Sequence, residues 1–170
     1  MIDFTPFPTL STERLNLRQL EPADENEVFS LRSNNIVRQY LDRPKANSVE
    51  DAKKFIERIK KGIAANQWLY WAVTTKNDKK LIGTVCLWNI SKEKNSAEIG
   101  YELLPEHHGK GLMQEAVAKI VDFSFKTMKL DSLEAYTHPE NSKSTMLLER
   151  NGFKYNGKNK VSMIYVKKAK

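Results

Sequence analysis

Apolar residues recur along this chain in two periods, and the period predicts where strands and helices lie. The clearest strand pattern is at residues 97–104, where Ile99, Tyr101 and Leu103 alternate with polar or small residues. Six other segments show the same alternation or an apolar, β-branched composition. The predicted strands are 12–20, 68–75, 81–90, 97–104, 132–137, 153–157 and 161–167.

Helices are predicted where apolar residues recur every three to four positions after a start signal. The predicted helices are 21–34, 48–62, 111–125 and 139–150. Residues 34–48 lie between the first two helices and have no clear period. No repeat, low-complexity segment or linker interrupts the chain, so residues 1–170 are expected to form a single domain.

The turn before the third helix has the composition of an anion-binding site. Gly109 and Gly111 leave room for a ligand near the backbone, and Lys110 adds a positive charge. A helix that begins directly after such a turn points free N–H groups out of its N-terminus, where phosphates bind. A plain connecting turn is at least as common with this pattern. The run is neither a dinucleotide fingerprint nor a Walker loop, because no third glycine and no Lys-Ser/Thr pair follow.

The runs LPEHHGKGLMQEA and HPENSKSTMLLERNGF together resemble the acetyl-CoA-binding core of the GNAT N-acetyltransferases, and most closely the ribosomal-protein N-terminal acetyltransferases of the RimJ/RimL type. The phosphate-binding motif of that superfamily, Gln/Arg-x-x-Gly-x-Gly/Ala, falls on residues 108–113. His108 and Met113 depart from it, and Gly111 matches. The predicted order of strands and helices is also similar to the GNAT order over nearly the whole chain.

The resemblance implies an α/β (α+β) fold, with a mixed, twisted central sheet of about seven strands and about four helices. The sheet is expected to splay between its fourth strand, 97–104, and its fifth, 132–137. The implied activity is transfer of the acetyl group of acetyl-CoA to a primary amine by direct attack in a ternary complex. The implied acceptor is a protein N-terminal α-amine, as on ribosomal proteins. A small amine or antibiotic remains an alternative acceptor, and a non-catalytic coenzyme A-binding module an alternative function.

The resemblance also assigns residues to the cofactor. The pantetheine arm would pair with the backbone of Tyr101, Glu102 and Leu103 in the splay, and Asn141 would hydrogen-bond the same arm. An N-cap is the structural alternative for Asn141. The hydroxyl of Ser144 would supply a proton to the leaving thiolate, because Leu148 occupies the position of the family's tyrosine. The expected phosphate cradle consists of His108, Gly109, Lys110, Gly111, Leu112 and Met113.

The expected general base is a glutamate, since an amine must be neutral to attack. Glu98 stands in an Ala-Glu-Ile triplet similar to the strand that carries the base in histone acetyltransferases of the superfamily. Glu102 lies on the same strand face and competes with it. A solvated strand glutamate is the alternative, and the imidazoles of His107, His108 and His138 rank below Glu98. Residues 34–48 would form one wall of the acceptor cleft, although Arg38, Tyr40 and Arg43 also read as ordinary loop residues.

Composition limits the other classes of function. The chain has no apolar run near 18 residues and no export leader, so we expect a cytoplasmic protein without membrane attachment. Cys86 is expected to be a buried strand residue, and no metal-ligand spacing occurs. The net charge is +7, and six lysines follow from Lys154 onward, but few aromatic residues accompany them. We therefore expect no direct nucleic-acid role. Monomer and homodimer both remain open.

Overall fold

The computed structural model describes residues 3–170 and contains one mixed sheet of eight strands in the order β1-β2-β3-β4-β5-β6-β8-β7. All neighbouring strands are antiparallel except β5 and β6, which are parallel. The strands are β1 Leu10–Ser11, β2 Leu15–Gln19, β3 Leu69–Thr75, β4 Gly83–Ser91, β5 Ser96–Leu103, β6 Ser132–Thr137, β7 Lys154–Lys158 and β8 Met163–Lys168. The helices are α1 Glu25–Ser33, α2 Asn35–Arg38, α3 Val49–Ala64, α4 Leu112–Lys126 and α5 Ser142–Arg150, with 3-10 turns at Pro22–Asp24 and Pro105–His107.

The fold has one strand and one helix more than the predicted seven strands and four helices, and both additional elements, β1 and α2, are short. The strand expected at 12–20 begins only at Leu15, because the N–H of Thr12 bonds to the carbonyl of Leu15 and closes a turn, and the short strand β1 precedes the expected range. The aperiodic segment contains α2, which has a single turn and is capped by the side chain of Asn34. A four-residue helix spans too little sequence to show a period.

The sheet is covered on both faces, and the two aromatic neighbours Tyr70 and Trp71 on β3 show how. Trp71 packs edge-on against Phe123 of α4, with ring centroids 5.7 Å apart. Tyr70 packs edge-on against Phe55 of α3, at 5.8 Å. Successive side chains on a strand point to opposite faces. The α4 face and the α1/α3 face of the sheet are therefore distinct, and each holds a part of the core. Within residues 3–170 no helix has the length and apolar character that crossing a membrane requires.

The sheet splays where the resemblance places the gap. Strands β5 and β6 pair only over Ser96–Glu98 and Ser132–Glu134. Beyond Glu98, β5 continues to pair with β4 as far as Leu103. Strand β6 likewise continues with β8 as far as Thr137. The facing edges of β5 and β6 therefore diverge, and a cleft opens between them.

Candidate active site

One large cleft runs from the loop after α2, across the gap between β5 and β6, to the N-termini of α4 and α5. Its volume is about 1920 Å³. Pockets for a single small ligand hold roughly 300–1,000 Å³. The cleft therefore has room for two ligands side by side, and it is bordered by residues from both faces of the sheet.

The N-terminus of α4 forms one end of the cleft. Gly109 and Gly111 adopt left-handed φ angles of 76° and 74°, which favour glycine. The first hydrogen bond of the helix runs from the Glu115 N–H to the Gly111 carbonyl. The N–H groups of residues 112–114 thus lie in the first turn and point out of the helix end, where anions bind. The arrangement has the form of a phosphate cradle.

The departure from the motif at Met113 has a packing explanation. The side chains of Leu112 and Met113 are each only 7% exposed and lie in the hydrophobic core. The predicted cradle therefore uses the backbone N–H groups of these residues. The side chain of His108 also points away from the cradle, because its Nε2 lies 2.8 Å from the carbonyl oxygen of Leu103 and donates to it. His108 therefore fixes the turn to the end of β5.

Arg14 braces the cradle, and the sequence pattern gave no indication of this contact. Its Nη1 donates to the carbonyl of Lys110 at 2.9 Å, and its Nε donates to Glu115 at 2.8 Å. A side chain at Gly111 would place its Cβ 3.5 Å from Nη2 of Arg14. The guanidinium therefore holds the loop and adds a positive charge beside the helix N-terminus.

We expect Arg14→Gln to weaken acetyl-CoA binding by about 5- to 20-fold, because it removes a charged hydrogen bond and a positive charge next to the cradle. Calorimetric titration with acetyl-CoA measures this change. Lys126→Gln removes the same charge from an exposed ion pair with Asp122 and should leave the affinity unchanged. Equal affinities in both variants would show that Arg14 has no part in the cradle.

The free edge of β5 follows from its pairing with β4. The N–H of Leu104 donates to the carbonyl of Ile82, so alternate residues of β5 direct their backbone groups toward β4. By this alternation the backbone groups of Tyr101 and Leu103 point into the gap. Those of Glu102 point toward β4, where its carbonyl oxygen lies so close to Gly83 that it leaves no room for a Cβ.

The structure therefore corrects one sequence-based expectation. The backbone of Glu102 is paired within the sheet and is not free to bind the pantetheine arm, and the carbonyl of Leu103 is already bonded to His108. The N–H of Leu103 and both backbone groups of Tyr101 remain directed into the gap. Across the gap the buried hydroxyl of Thr137 has no hydrogen-bond partner within residues 3–170. These groups, with the cradle, fit an elongated ligand that carries amides and phosphates.

Ser144 and Tyr101 meet at the gap. The Ser144 Oγ lies 2.6 Å from the Tyr101 hydroxyl, which joins α5 to β5. Burial raises the pKa of Tyr101 to about 12, so its hydroxyl stays protonated at neutral pH and can donate. Asn141 caps α5, since its Oδ1 accepts from the Ser144 N–H at 3.2 Å. The N-cap interpretation of Asn141 is confirmed, and its cofactor role stays a prediction.

The two candidate bases lie on the opposite face from the hydroxyl pair, and their partners differ. Glu98 accepts a hydrogen bond of 2.8 Å from the Asn89 side chain, and burial raises the pKa of its carboxyl above the ordinary value. Glu102 is instead ion-paired with Arg43. A carboxylate held by a guanidinium is the poorer proton acceptor. The geometry therefore favours Glu98 over Glu102 as a base.

Residues 34–48 form one wall of the cleft, as the resemblance implies. Arg43 reaches β5 through its ion pair with Glu102, so it is not an ordinary loop residue. Tyr40 stacks on His138, with ring centroids 5.2 Å apart, and so connects this wall to the end of β6. Arg38 donates to the carbonyl of Arg43 at 3.2 Å and supports the wall from outside the cleft.

Cys86 is buried in the sheet, as predicted. Burial raises the pKa of its thiol to about 12, so it is not a thiolate nucleophile at neutral pH. Residues 3–170 hold no cluster of three or more His, Cys, Asp and Glu side chains that could bind a metal ion.

Comparison with known proteins gives consistent matches over most of the chain. Residues 14–154 match the family model described as an acetyltransferase (GNAT) domain. An uncharacterized N-acetyltransferase of Bacillus subtilis is 32% identical over 151 residues, which cover 89% of this chain and 85% of that protein. The spermidine N(1)-acetyltransferase of Vibrio cholerae is 31% identical over 82% of this chain and 79% of that protein. The crystal structure of ribosomal-protein-S5-alanine acetyltransferase from Vibrio fischeri has a TM-score of 0.80 and 25% identity, covering 95% of this chain and 96% of the other.

Proposed function

Because the chain belongs to the GNAT acetyltransferase family, we propose that it acetylates the α-amine at a protein N-terminus, within a ternary complex formed by one domain of residues 1–170. The observation that carries the proposal is the cleft, which joins a phosphate cradle and a free strand edge to a second wall on the other side of the sheet. The likeness to ribosomal-protein-S5-alanine acetyltransferase supports a protein N-terminus as the acceptor.

Each step has a residue in this chain. Acetyl-CoA, the cosubstrate of the family, supplies an acetyl thioester whose C–S bond breaks as the new C–N bond forms. The backbone at residues 109–113 holds the phosphates, and both backbone groups of Tyr101 and the N–H of Leu103 bind the arm between β5 and β6. Glu98 accepts the proton by which the ammonium becomes a neutral amine, and the second N–H proton, released as the amide forms, balances the proton that the sulfur gains. Ser144 donates to the departing sulfur, and Tyr101 donates in turn to Ser144.

The division of the cleft explains why two ligands meet at β5. Side chains at Glu98 and Glu102 point to the α1/α3 face, and the Tyr101 side chain points to the α4 face with Ser144. The proton acceptor for the amine and the hydroxyl for the sulfur therefore lie on opposite sides of the strand. Such an arrangement suits direct attack, because the amine and the thioester sulfur each have their own proton-transfer group on a separate side of β5.

The direct test combines binding with turnover. Calorimetry with acetyl-CoA and with dephosphorylated pantetheine measures how much the phosphates contribute to affinity, and so tests the cradle. Release of free thiol on adding peptides with an N-terminal Ala or Ser measures transfer, and mass spectrometry locates the acetyl group. Binding that requires the phosphates, with acetylation of the α-amine, supports the proposal. Binding without acetylation of any amine would indicate a module that holds coenzyme A and does not catalyse.

We expect Glu98→Gln to lower kcat/KM at pH 7 by about 100- to 10,000-fold, the usual contribution of a general base. An α-amine has a pKa of about 7.7–8.0, so at pH 7 most acceptor molecules are protonated and need a base. The loss should shrink as pH rises above about 8, where the amine is neutral without help. A loss that stays constant from pH 6 to pH 10 would contradict a role in proton transfer.

The acidic limb of the pH profile provides an independent check. Burial raises the pKa of Glu98, whereas the hydrogen bond from Asn89 opposes this rise. Asn89→Gly removes that bond and suits the positive φ of 47° at this position. The pKa of Glu98 should therefore rise further, and the acidic limb of kcat/KM should move to higher pH. The acceptor amine ionises in the same way with the wild type and with Asn89→Gly. An acidic limb that does not move would therefore reflect ionisation of the acceptor and not of Glu98.

Spermidine is a second candidate acceptor, because a relative with 31% identity carries that activity. The same thiol-release assay with spermidine in place of the peptide distinguishes the two acceptors.

A further inference from the structure

Three arginines gather on the acceptor side of the cleft, on the face opposite to the cradle helix. Arg32 and Arg58 both lie against the ring of Phe55, with guanidinium carbons 3.8 Å and 5.5 Å from its centroid. Arg43 reaches the same region from the loop after α2 and pairs with Glu102. All three line the cleft. We refer to Arg32, Arg43 and Arg58 as the arginine wall.

Arg43 lines the cleft, and one complete edge of its guanidinium has no acceptor within the described residues. Its Nη1 donates to Glu102, but its Nε and Nη2 are buried and have no hydrogen-bond acceptor within residues 3–170. The N–H groups on Nε and Nη2 point in the same direction and form a fork that binds two oxygens of one carboxylate or phosphate. Buried donors without partners are costly, so an acceptor oxygen at this edge would be stabilising.

The arginines of this wall also repel one another. Burial, reinforced by the repulsion from Arg32, lowers the pKa of Arg43 to about 10. Burial, together with repulsion from Arg58, lowers the pKa of Arg32 as well. Four carboxylates line this part of the cleft. Glu102 is already paired with Arg43, Glu98 is bonded to Asn89, and Asp51 accepts from the Asn47 N–H. Within the described residues neither Asp51 nor Asp42 forms an ion pair with the three arginines. An anionic ligand would relieve this repulsion, whereas a polycation would add to it.

We propose that the acceptor carries an acidic group close to its amine, and that the free edge of Arg43, supported by Arg32 and Arg58, binds this group. This inference rests on the proposed function. For a protein N-terminus the acidic group is an Asp or Glu side chain among the first three residues. The same wall selects against polyamines such as spermidine.

The test compares acceptors that differ only in charge. Peptides beginning Ala-Asp-Glu, Ala-Asn-Gln and Ala-Lys-Lys share one sequence after the third residue, and kcat/KM is measured for each. Phosphoethanolamine and ethanolamine form a matched small-molecule pair, and spermidine represents the polyamines. A carboxylate bound by a charged donor is worth about 10- to 100-fold in affinity. We therefore expect the acidic peptide to exceed its amide counterpart by that factor.

Arg43→Gln should reduce the acid-to-amide ratio to near 1. The ratio is taken within one enzyme, so a general loss of activity caused by the unpaired Glu102 cancels. Lys126→Gln, which removes an exposed charge from α4, should keep the full ratio. Calorimetry with acetyl-CoA should give the same affinity for the wild type and for both variants, since the wall does not contact the cradle. Fluorescence anisotropy of labelled acidic and amide peptides should show the same preference in binding alone.

The outcomes separate this inference from the proposed function. Equal rates for the acidic and amide peptides, or a preference for Ala-Lys-Lys or spermidine, would overturn the inference and leave acetyl transfer standing. If phosphoethanolamine is acetylated but no peptide is, a protein N-terminus is rejected as the acceptor. The inference of an anionic acceptor is still supported in that case if wild-type enzyme prefers phosphoethanolamine to ethanolamine and Arg43→Gln removes this preference. If no amine is acetylated, the anisotropy measurement decides. Equal binding of the two labelled peptides would overturn the inference. Tighter binding of the acidic peptide would support it, provided that Arg43→Gln abolishes the difference.

Discussion

Replacing Gly111 by Asp is expected to weaken acetyl-CoA binding by at least about a hundredfold. Gly111 is the N-cap of α4 and borders the cradle. A carboxylate there would lie beside the bound phosphates. Two negative charges about 4 Å apart near a protein surface repel by about 4 kcal/mol. Each interval of about 1.4 kcal/mol changes Kd tenfold, so a hundredfold loss is reached even after partial screening by Arg14. Calorimetric titration with acetyl-CoA measures this change.

Two variants separate charge from shape and from backbone strain. Gly111→Asn has nearly the same shape as Gly111→Asp and tolerates the left-handed φ of 74° about equally well, but it is neutral. It should lose much less affinity than the aspartate. Gly157→Asp introduces the same charge at a left-handed φ of 103° in β7, where a Cβ meets nothing within 4 Å. It should bind acetyl-CoA normally. Normal binding by Gly111→Asp itself would show that the cradle lies elsewhere.

The local elements of the fold could be predicted because their signals are local. The alternation at residues 97–104 and the helical spacing after Gly111 each need only one segment, and both are confirmed by β5 and α4. Helix α2 was missed because one turn, fixed by the Asn34 side chain, leaves no repeating pattern. The late start of β2 at Leu15 depends on one hydrogen bond between Thr12 and Leu15, which an apolar period does not indicate.

The candidate site could be predicted only in part, because several of its contacts join distant segments. The Arg14 contact to Lys110 spans 96 positions, and the ion pair of Arg43 with Glu102 spans 59. Periodicity describes one element at a time and contains no such pairing. The gap between β5 and β6 could be expected only from the family resemblance. Where two strands stop pairing depends on their register, which the apolar period of either strand does not contain.

Glu102 shows why a residue can be assigned to the correct strand and still be given the wrong role. Its position on β5 was predicted correctly, and so was the face that it shares with Glu98. Which edge its backbone uses depends on the register with β4, which the Leu104 to Ile82 hydrogen bond fixes. Alternation then directs Tyr101 and Leu103, but not Glu102, toward the gap.

Ser144→Ala is the second change with a large expected effect, a 10- to 1000-fold fall in kcat with the affinity for acetyl-CoA preserved. The Ser144 Oγ is bonded to the Tyr101 hydroxyl, and alanine removes the Ser144 donor without adding bulk. Rates at saturating acetyl-CoA and acceptor give kcat, and calorimetry gives the affinity. Ser142→Ala removes a hydroxyl from the same helix and should keep kcat. A Ser144→Ala enzyme with unchanged kcat would show that Ser144 does not serve the leaving sulfur.

Tyr101→Phe then determines how the two hydroxyls share the role. The phenol of Tyr101 stays protonated at neutral pH, because burial raises its pKa to about 12. It can therefore orient the Ser144 hydroxyl by donating to it, and its removal should lower kcat less than Ser144→Ala. The double variant should be no slower than Ser144→Ala, because residues that act as a unit are not additive. If the two losses multiply instead, Tyr101 acts on the sulfur independently, and the proton route has two donors in place of one relay.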